Sequence, residues 1–92
     1  MGTPLVGLSF FKTRHSLARV AVVVGKKFSK KAVERNRAKR IYREVVRELY
    51  PRILGGYDII IFLKGSAKNN MPKIESAKTE LTEILKRAGV MK

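Results

Sequence analysis

Ninety-two residues suffice for one hydrophobic core and no more, and 45% of them are hydrophobic and fall in runs and stripes, which excludes a disordered basic tail. Lysine and arginine number 21 against 7 acidic residues; the net charge of +14 is costly in self-repulsion unless a polyanion is bound, so nucleic acid is the expected partner, ahead of any membrane surface or small-molecule substrate. Cysteine is absent, which excludes disulfides and thiolate metal sites, and with no bilayer-length apolar run and no signal-like N-terminus the chain reads as cytoplasmic.

Leu5 to Phe11 is an apolar run with Gly7 and Ser9 interleaved, so it is predicted to be a strand whose two faces differ. After a polar, basic connection from Lys12 to Ser16, the β-branched Val20, Val22, Val23 and Val24 predict a second strand within Ala18 to Gly25, antiparallel to the first and joined to it by a loop. From Ser29 to Tyr50 the period changes. Ala38, Ile41, Tyr42, Val45, Val46 and Leu49 recur at spacings of three and four, while Asn36, Lys39, Arg40, Arg43 and Arg47 line another face. This predicts an amphipathic helix with a cationic stripe, stopped by Pro51 and Gly55-Gly56. Tyr57 to Leu63, bounded by Gly56 and Gly65, has the length and continuity of a buried strand. Asn69 or Asn70 is expected to cap a last helix with Pro72 in its first turn. Its apolar stripe is Ile74, Ala77, Leu81, Ile84, Leu85 and Ala88, and Gly89 ends it after Lys86 and Arg87. The order β-β-α-β-α predicts an α/β (α+β) two-layer sandwich: a small mixed sheet with two helices on one face and the other face open. No repeat or linker divides residues 1–92, which read as a single RNA-binding domain.

Between Lys26 and Arg47 stand ten basic residues: Lys26, Lys27, Lys30, Lys31, Arg35, Arg37, Lys39, Arg40, Arg43 and Arg47. Only Glu34 and Glu44 oppose them. A merely solvated helix face usually mixes signs for i,i+4 support, so this one points to phosphate binding. Each arginine can grip a phosphate with two N–H groups or stack on a base, and Asn36 adds a neutral donor and acceptor, chemistry suited to irregular RNA. A bare Arg-Asn-Arg triplet says little by itself. His15 is the only histidine and has no acidic neighbour in sequence, so it reads as an exposed or RNA-contacting side chain. Glu75, Glu80 and Glu83 are spaced for solvent exposure rather than for a two-metal nuclease, with Glu83 and Arg87 set for an i,i+4 pair. Asp58, opening a strand, reads as a structural hydrogen-bond acceptor. No active site is expected. A DNA reader would need a helix-turn-helix partner or a heptad continuation, and neither flanks the basic helix. A lipid-surface helix would need Trp and Phe anchors that its apolar face lacks.

The whole stretch from Val20 to Leu49, VAVVVGKKFSKKAVERNRAKRIYREVVREL, is similar to the signature of bacterial ribonuclease P proteins. In that family a strand ends in a Lys-Lys pair, a basic loop follows, and a helix opens with Ala-Val-x-Arg-Asn-Arg-x-Lys-Arg. Lys26-Lys27, Lys30-Lys31, Ala32, Val33, Arg35, Asn36, Arg37, Lys39 and Arg40 match, with Arg43 and Glu44 downstream. Gly56-Tyr57-Asp58, Ile59 to Leu63 and Lys64 look like the family's next strand, and Ile74 to Ala88 like its last helix. The resemblance implies a ribosomal protein S5 domain 2-like fold with a left-handed crossover. It implies that the chain is the accessory protein subunit of an endoribonuclease. Lys26, Lys27, Lys30, Lys31, Arg35, Asn36, Arg37, Lys39, Arg40 and Arg43 would bind the catalytic RNA. The open sheet face would hold the 5′ leader of precursor tRNA along Gly7, Ser9, Phe11, Arg19, Ala21, Val23 and Lys64. Strand alternation turns Val20, Val22 and Val24 the other way, toward the helices. Phe11 reads equally as a base-stacking ring or as a partly buried aromatic at a sheet edge. The RNA performs the cleavage with magnesium, and no cofactor is expected on the protein. Family members usually open with an additional helix bearing aromatic side chains, whereas only Met1 to Pro4 precede the first strand here, so a leader cleft that is either shallower or incomplete is expected. The competing reading is a generic basic RNA-binding module such as a ribosomal protein or RNA chaperone.

Overall fold

Period-two alternation in three apolar segments and a three-and-four period in two others give five main elements in the computed structural model, which describes residues 6–64 and 72–92. They are β1 (Val6–Lys12), β2 (Arg19–Val23), α1 (Ala32–Leu49), β3 (Tyr57–Leu63) and α2 (Ile74–Ala88), with a short 3₁₀ turn, Tyr50–Arg52, closing α1. This is the predicted β-β-α-β-α order. The strands form one mixed sheet in the order β1-β3-β2. β1 pairs antiparallel with β3, Leu8 opposite Ile61, and β2 pairs parallel with β3, Val22 opposite Ile61.

The first two strands therefore run in opposite directions, as predicted, but do not pair with each other, because β3 lies between them. The residues explain why: Ile59 to Leu63 is apolar on both faces and suits the centre, while β1 and β2 carry Ser9, Lys12 and Arg19 and suit the edges. Val6, Leu8, Val22, Ile59 and Ile61 point to one side of the sheet and are buried there with Tyr42, Val45 and Leu49 of α1 and Ala77, Leu81, Ile84 and Leu85 of α2. Both helices thus cover one face.

Element ends differ in places from expectation. Ser29, predicted to open the first helix, stands three residues before it and turns its hydroxyl to the chain instead, accepting from the Lys31 N–H at 3.1 Å and donating to Glu34 at 2.6 Å. The last helix begins at Ile74 with Lys73 at its N-cap, so Pro72 precedes the first turn rather than lying in it. Leu5, Gly65, Asn69 and Asn70 lie outside the described residues. Gly89 ends α2 as predicted, in the left-handed region at φ 77°, its N–H donating to the Leu85 and Lys86 carbonyls.

Candidate nucleic-acid interface

The basic loop between β2 and α1 is held by one aromatic side chain. Phe28 is buried to 3% exposure against Ala38, with Val24 and Leu63 packed around it. Beside it Ser29 makes the two hydroxyl bonds above, and its carbonyl accepts from Arg35 Nη1 at 3.0 Å. With the backbone pinned at these points, Lys26, Lys27, Lys30 and Lys31 all project into solvent. Sequence reading missed Phe28; a lone aromatic between two Lys-Lys pairs was the available signal.

Along α1 the buried Ala38, Tyr42, Val45 and Leu49 define the inner stripe. Asn36, Arg40, Arg43 and Arg47 follow one another at spacings of four, three and four on the opposite side, all exposed. Arg37 is exposed too, whereas Lys39 and Arg35 are half-buried, and Arg35 spends one donor on the loop. Among the described residues none of Lys26, Lys27, Lys30, Lys31, Arg37, Lys39, Arg40 and Arg43 forms an ion pair; on this helix Arg47 reaches Glu44 at 3.7 Å, and Glu48 is taken by Lys78 of α2 at 2.6 Å. The result is a cationic surface on which, among the described residues, Arg47 alone is in an ion pair. Val33, 79% exposed, is an apolar side chain on the same surface.

A second surface is the sheet face away from the helices. The register sets Gly7, Ser9 and Phe11 of β1 beside Phe62, Ile60 and Asp58 of β3, and these beside Val23, Ala21 and Arg19 of β2. The residues predicted for a cleft therefore do share one face, and Lys64 follows β3 immediately, exposed. Of the two readings of Phe11, the structure gives the exposed ring, at 58%. The sequence reading missed Asp58, Ile60 and Phe62, having taken their strand as wholly buried. Yet the same alternation, counted from the core residues Ile59 and Ile61, assigns them to the open side. Phe62 lies over Gly7, where a β-carbon would overlap its ring, so the glycine makes room for an aromatic on the open face.

At the other end of this face Arg19 donates from Nε to Asp58 Oδ1 at 2.7 Å and from Nη2 to Oδ2 at 2.6 Å. Asp58 is thus the acceptor predicted. The bonds from Arg19 hold its carboxyl below the usual carboxylate range against partial desolvation, with the charges of Arg19 and His15 adding to the effect. An open groove of about 360 Å³ runs beside the pair, lined by Phe11, Arg19, Val20, Ala21, Asp58, Ile59 and Ile60. His15 is exposed, its backbone N–H on Thr13 Oγ1 at 3.3 Å. Glu75 and Glu83 are exposed as expected, with Glu83 paired to Arg87 at 3.5 Å, but Glu80 departs from the expectation: it is half-buried and its Oε2 has no partner. Among the described residues no group of three or more His, Cys, Asp or Glu could hold a metal ion, and no helix is long and apolar enough to cross a membrane.

The family model for ribonuclease P matches residues 2–89 of the chain. The chain is 34% identical over 88 residues to the ribonuclease P protein component of Xanthomonas euvesicatoria pv. vesicatoria, covering 96% of this chain and 58% of that relative. To the ribonuclease P protein component of Ralstonia pickettii it is 45% identical over 69 residues, covering 74% and 49%. The chain therefore spans roughly half the length of these curated relatives. Among solved structures it is similar to the RNase P protein of Staphylococcus aureus, with a TM-score of 0.84 and 25% identity over 100% of this chain and 82% of that one. It is also similar to the RNase P protein of Thermotoga maritima solved in complex with 1-(4-fluorophenyl)-2-thiourea, with a TM-score of 0.81 and 27% identity over 95% and 82%.

Proposed function

Because the chain belongs to the ribonuclease P protein family, we propose that it is the protein subunit of a ribonuclease P holoenzyme, assisting the endonucleolytic removal of the 5′ leader from precursor tRNA in the cytoplasm. The observation that carries this reading is the pairing of two surfaces on one small domain. One is a basic loop and helix whose cations from Lys26 to Arg43 form no ion pair among the described residues. The other is an open sheet face furnished with exposed aromatic and aliphatic side chains and one arginine.

In this reading the two surfaces divide the work. Lys26, Lys27, Lys30, Lys31, Arg37, Arg40 and Arg43 neutralise phosphates of the catalytic RNA, with Asn36 available to a 2′-OH or base edge. Arg35, half-buried, ties the helix to the loop through the Ser29 carbonyl, and Lys39, half-buried on the helix flank, adds a further cation. The sheet face takes the leader as a single strand, with Phe11 and Phe62 as stacking surfaces for bases. Magnesium belongs to the RNA subunit, which performs the hydrolysis. The chain's own part is to lower the electrostatic cost of bringing two polyanions together and to hold the leader in an extended path.

The test is cleavage of a precursor tRNA at low magnesium by a bacterial ribonuclease P RNA, with and without this chain, beside a protein-only control. Stimulation that needs both components is the expected result. Binding to RNA without stimulation would favour a generic RNA-binding module instead. Cleavage by the protein alone would overturn the assignment of chemistry to the RNA.

A further inference from the structure

On the open sheet face one carboxylate stands among groups suited to a polyanion, and charge alone gives it no reason to be there. Asp58 is on the central strand, directly opposite Phe11 on one side and Arg19 on the other. Its two oxygens take the Nε and Nη2 hydrogens of Arg19 at 2.7 and 2.6 Å, which is one complete edge of the guanidinium. The second edge, one hydrogen each from Nη1 and Nη2, is left for another acceptor. The Arg19 side chain is 61% exposed, so that edge is reachable, and a planar fork fixed at one edge has lost most of its rotational freedom before a ligand arrives.

We infer that Asp58 is a positioning residue, holding the Arg19 guanidinium so that its free Nη1–Nη2 edge grips one phosphate of the RNA strand on the open face. Phe11 and Arg19 are two strand spacings apart, about 10 Å, so a nucleotide whose base stacks on Phe11 has its backbone within reach of Arg19. The groove lined by Phe11, Ala21, Ile60 and the Arg19 and Asp58 pair is the space this nucleotide enters. The inference rests on the leader reading above and adds to it which phosphate donor is preorganised and by what.

Charge and positioning make opposite predictions. Considered as a charge, Asp58 repels the strand, and Asp58→Asn should tighten leader binding. As a positioning group its loss releases Arg19, and Asp58→Asn should weaken leader binding roughly two- to ten-fold. The experiment measures binding of leader-bearing precursor tRNA and of leaderless tRNA to the holoenzyme assembled with wild-type chain, Asp58→Asn, Arg19→Ala and the double variant. Arg19→Lys, which keeps the charge but cannot hold both bonds, tests the fork independently of Asp58. The expected result is a loss confined to leader-bearing substrate in Asp58→Asn and in Arg19→Lys, with no further loss when Asp58→Asn is added to Arg19→Ala. Circular dichroism and affinity for the RNA subunit report folding separately. Unchanged or tighter leader binding by Asp58→Asn, in a holoenzyme where wild type prefers leader-bearing substrate, overturns the inference alone. No leader preference in wild type overturns the leader reading and this inference with it.

Discussion

Gly55 lies against the connection between β1 and β2 so closely that a β-carbon would run into the Ser16 carbonyl oxygen, a backbone atom with no rotamer to escape into. The same connection is tied down by the Tyr50 hydroxyl, which donates to the Ala18 carbonyl at 2.6 Å, and by the Thr13 N–H on the Gly56 carbonyl at 2.9 Å. Gly55→Ala must move this connection, and the expected cost is about 1–3 kcal/mol in urea unfolding. Gly25→Ala, with nothing within 4 Å of its β-carbon, is expected to change stability by less than about 0.5 kcal/mol. Equal effects at the two glycines would remove the steric explanation. Tyr42 makes a second prediction at this scale. Burial, with the negative charge of Glu80 adding to it, pushes its phenol up to about 12. The folded chain therefore favours the protonated phenol more than the unfolded chain does. Its contribution to stability is complete below pH 10 and is lost as pH rises from there toward 12. Tyr42→Phe should flatten this alkaline decline, and a spectrophotometric phenolate titration should lose its highest-pH component.

The elements divide by how much of their placement local pattern can specify. The inner stripe of α1, its exposed Arg40 and Arg43, the apolar stripe of α2 and the Gly89 cap were all legible, because each follows from helical spacing or a single backbone preference. The central position of β3 was not, since alternation fixes which way a side chain points but says nothing about which strand is its neighbour. Asp58 and Phe62 were hidden differently: the nearly continuous apolar run reads as a strand buried on both faces, although alternation from Ile59 and Ile61 turns them to the open side. The start of α1 was missed for a related reason: Ser29 carries the chemistry of a cap, and only the fold shows its hydroxyl committed to the loop. These distinctions separate two kinds of variant in the basic segment. Arg40→Ala removes an exposed cation and should lower affinity for the RNA subunit with the thermal midpoint unchanged. Phe28→Ala should cost about 3 kcal/mol and also weaken RNA binding, because it loosens the loop that presents four lysines without touching any charge. Val45→Asp, at 0% exposure, should abolish folding altogether. If Phe28→Ala leaves RNA affinity intact in a folded protein, the loop needs no anchoring.

At the scale of the whole molecule the charge is unevenly distributed. Glu48 and Glu83 are paired with cations of α2, and Asp58 is paired with Arg19. The long basic run from Lys26 to Arg43 keeps its cations free of ion pairs among the described residues. On the function proposed above, such a surface neutralises RNA phosphates and releases the cations condensed on the RNA, so affinity should fall as salt rises. Each phosphate neutralised contributes about −0.7 to −0.9 to the slope of log K against log salt, and about six contacts from the loop and helix give a slope near −4 to −5. Arg40→Ala should weaken binding and also make the slope shallower by roughly one, since it deletes one of those contacts. Asp58→Asn should leave the slope for the RNA subunit unchanged, because it lies on the other surface. Filter binding or fluorescence anisotropy across a salt series measures all three. A wild-type slope near −1 would mean that most of these cations face water in the complex, and the cationic face would then have to be explained by something other than phosphate.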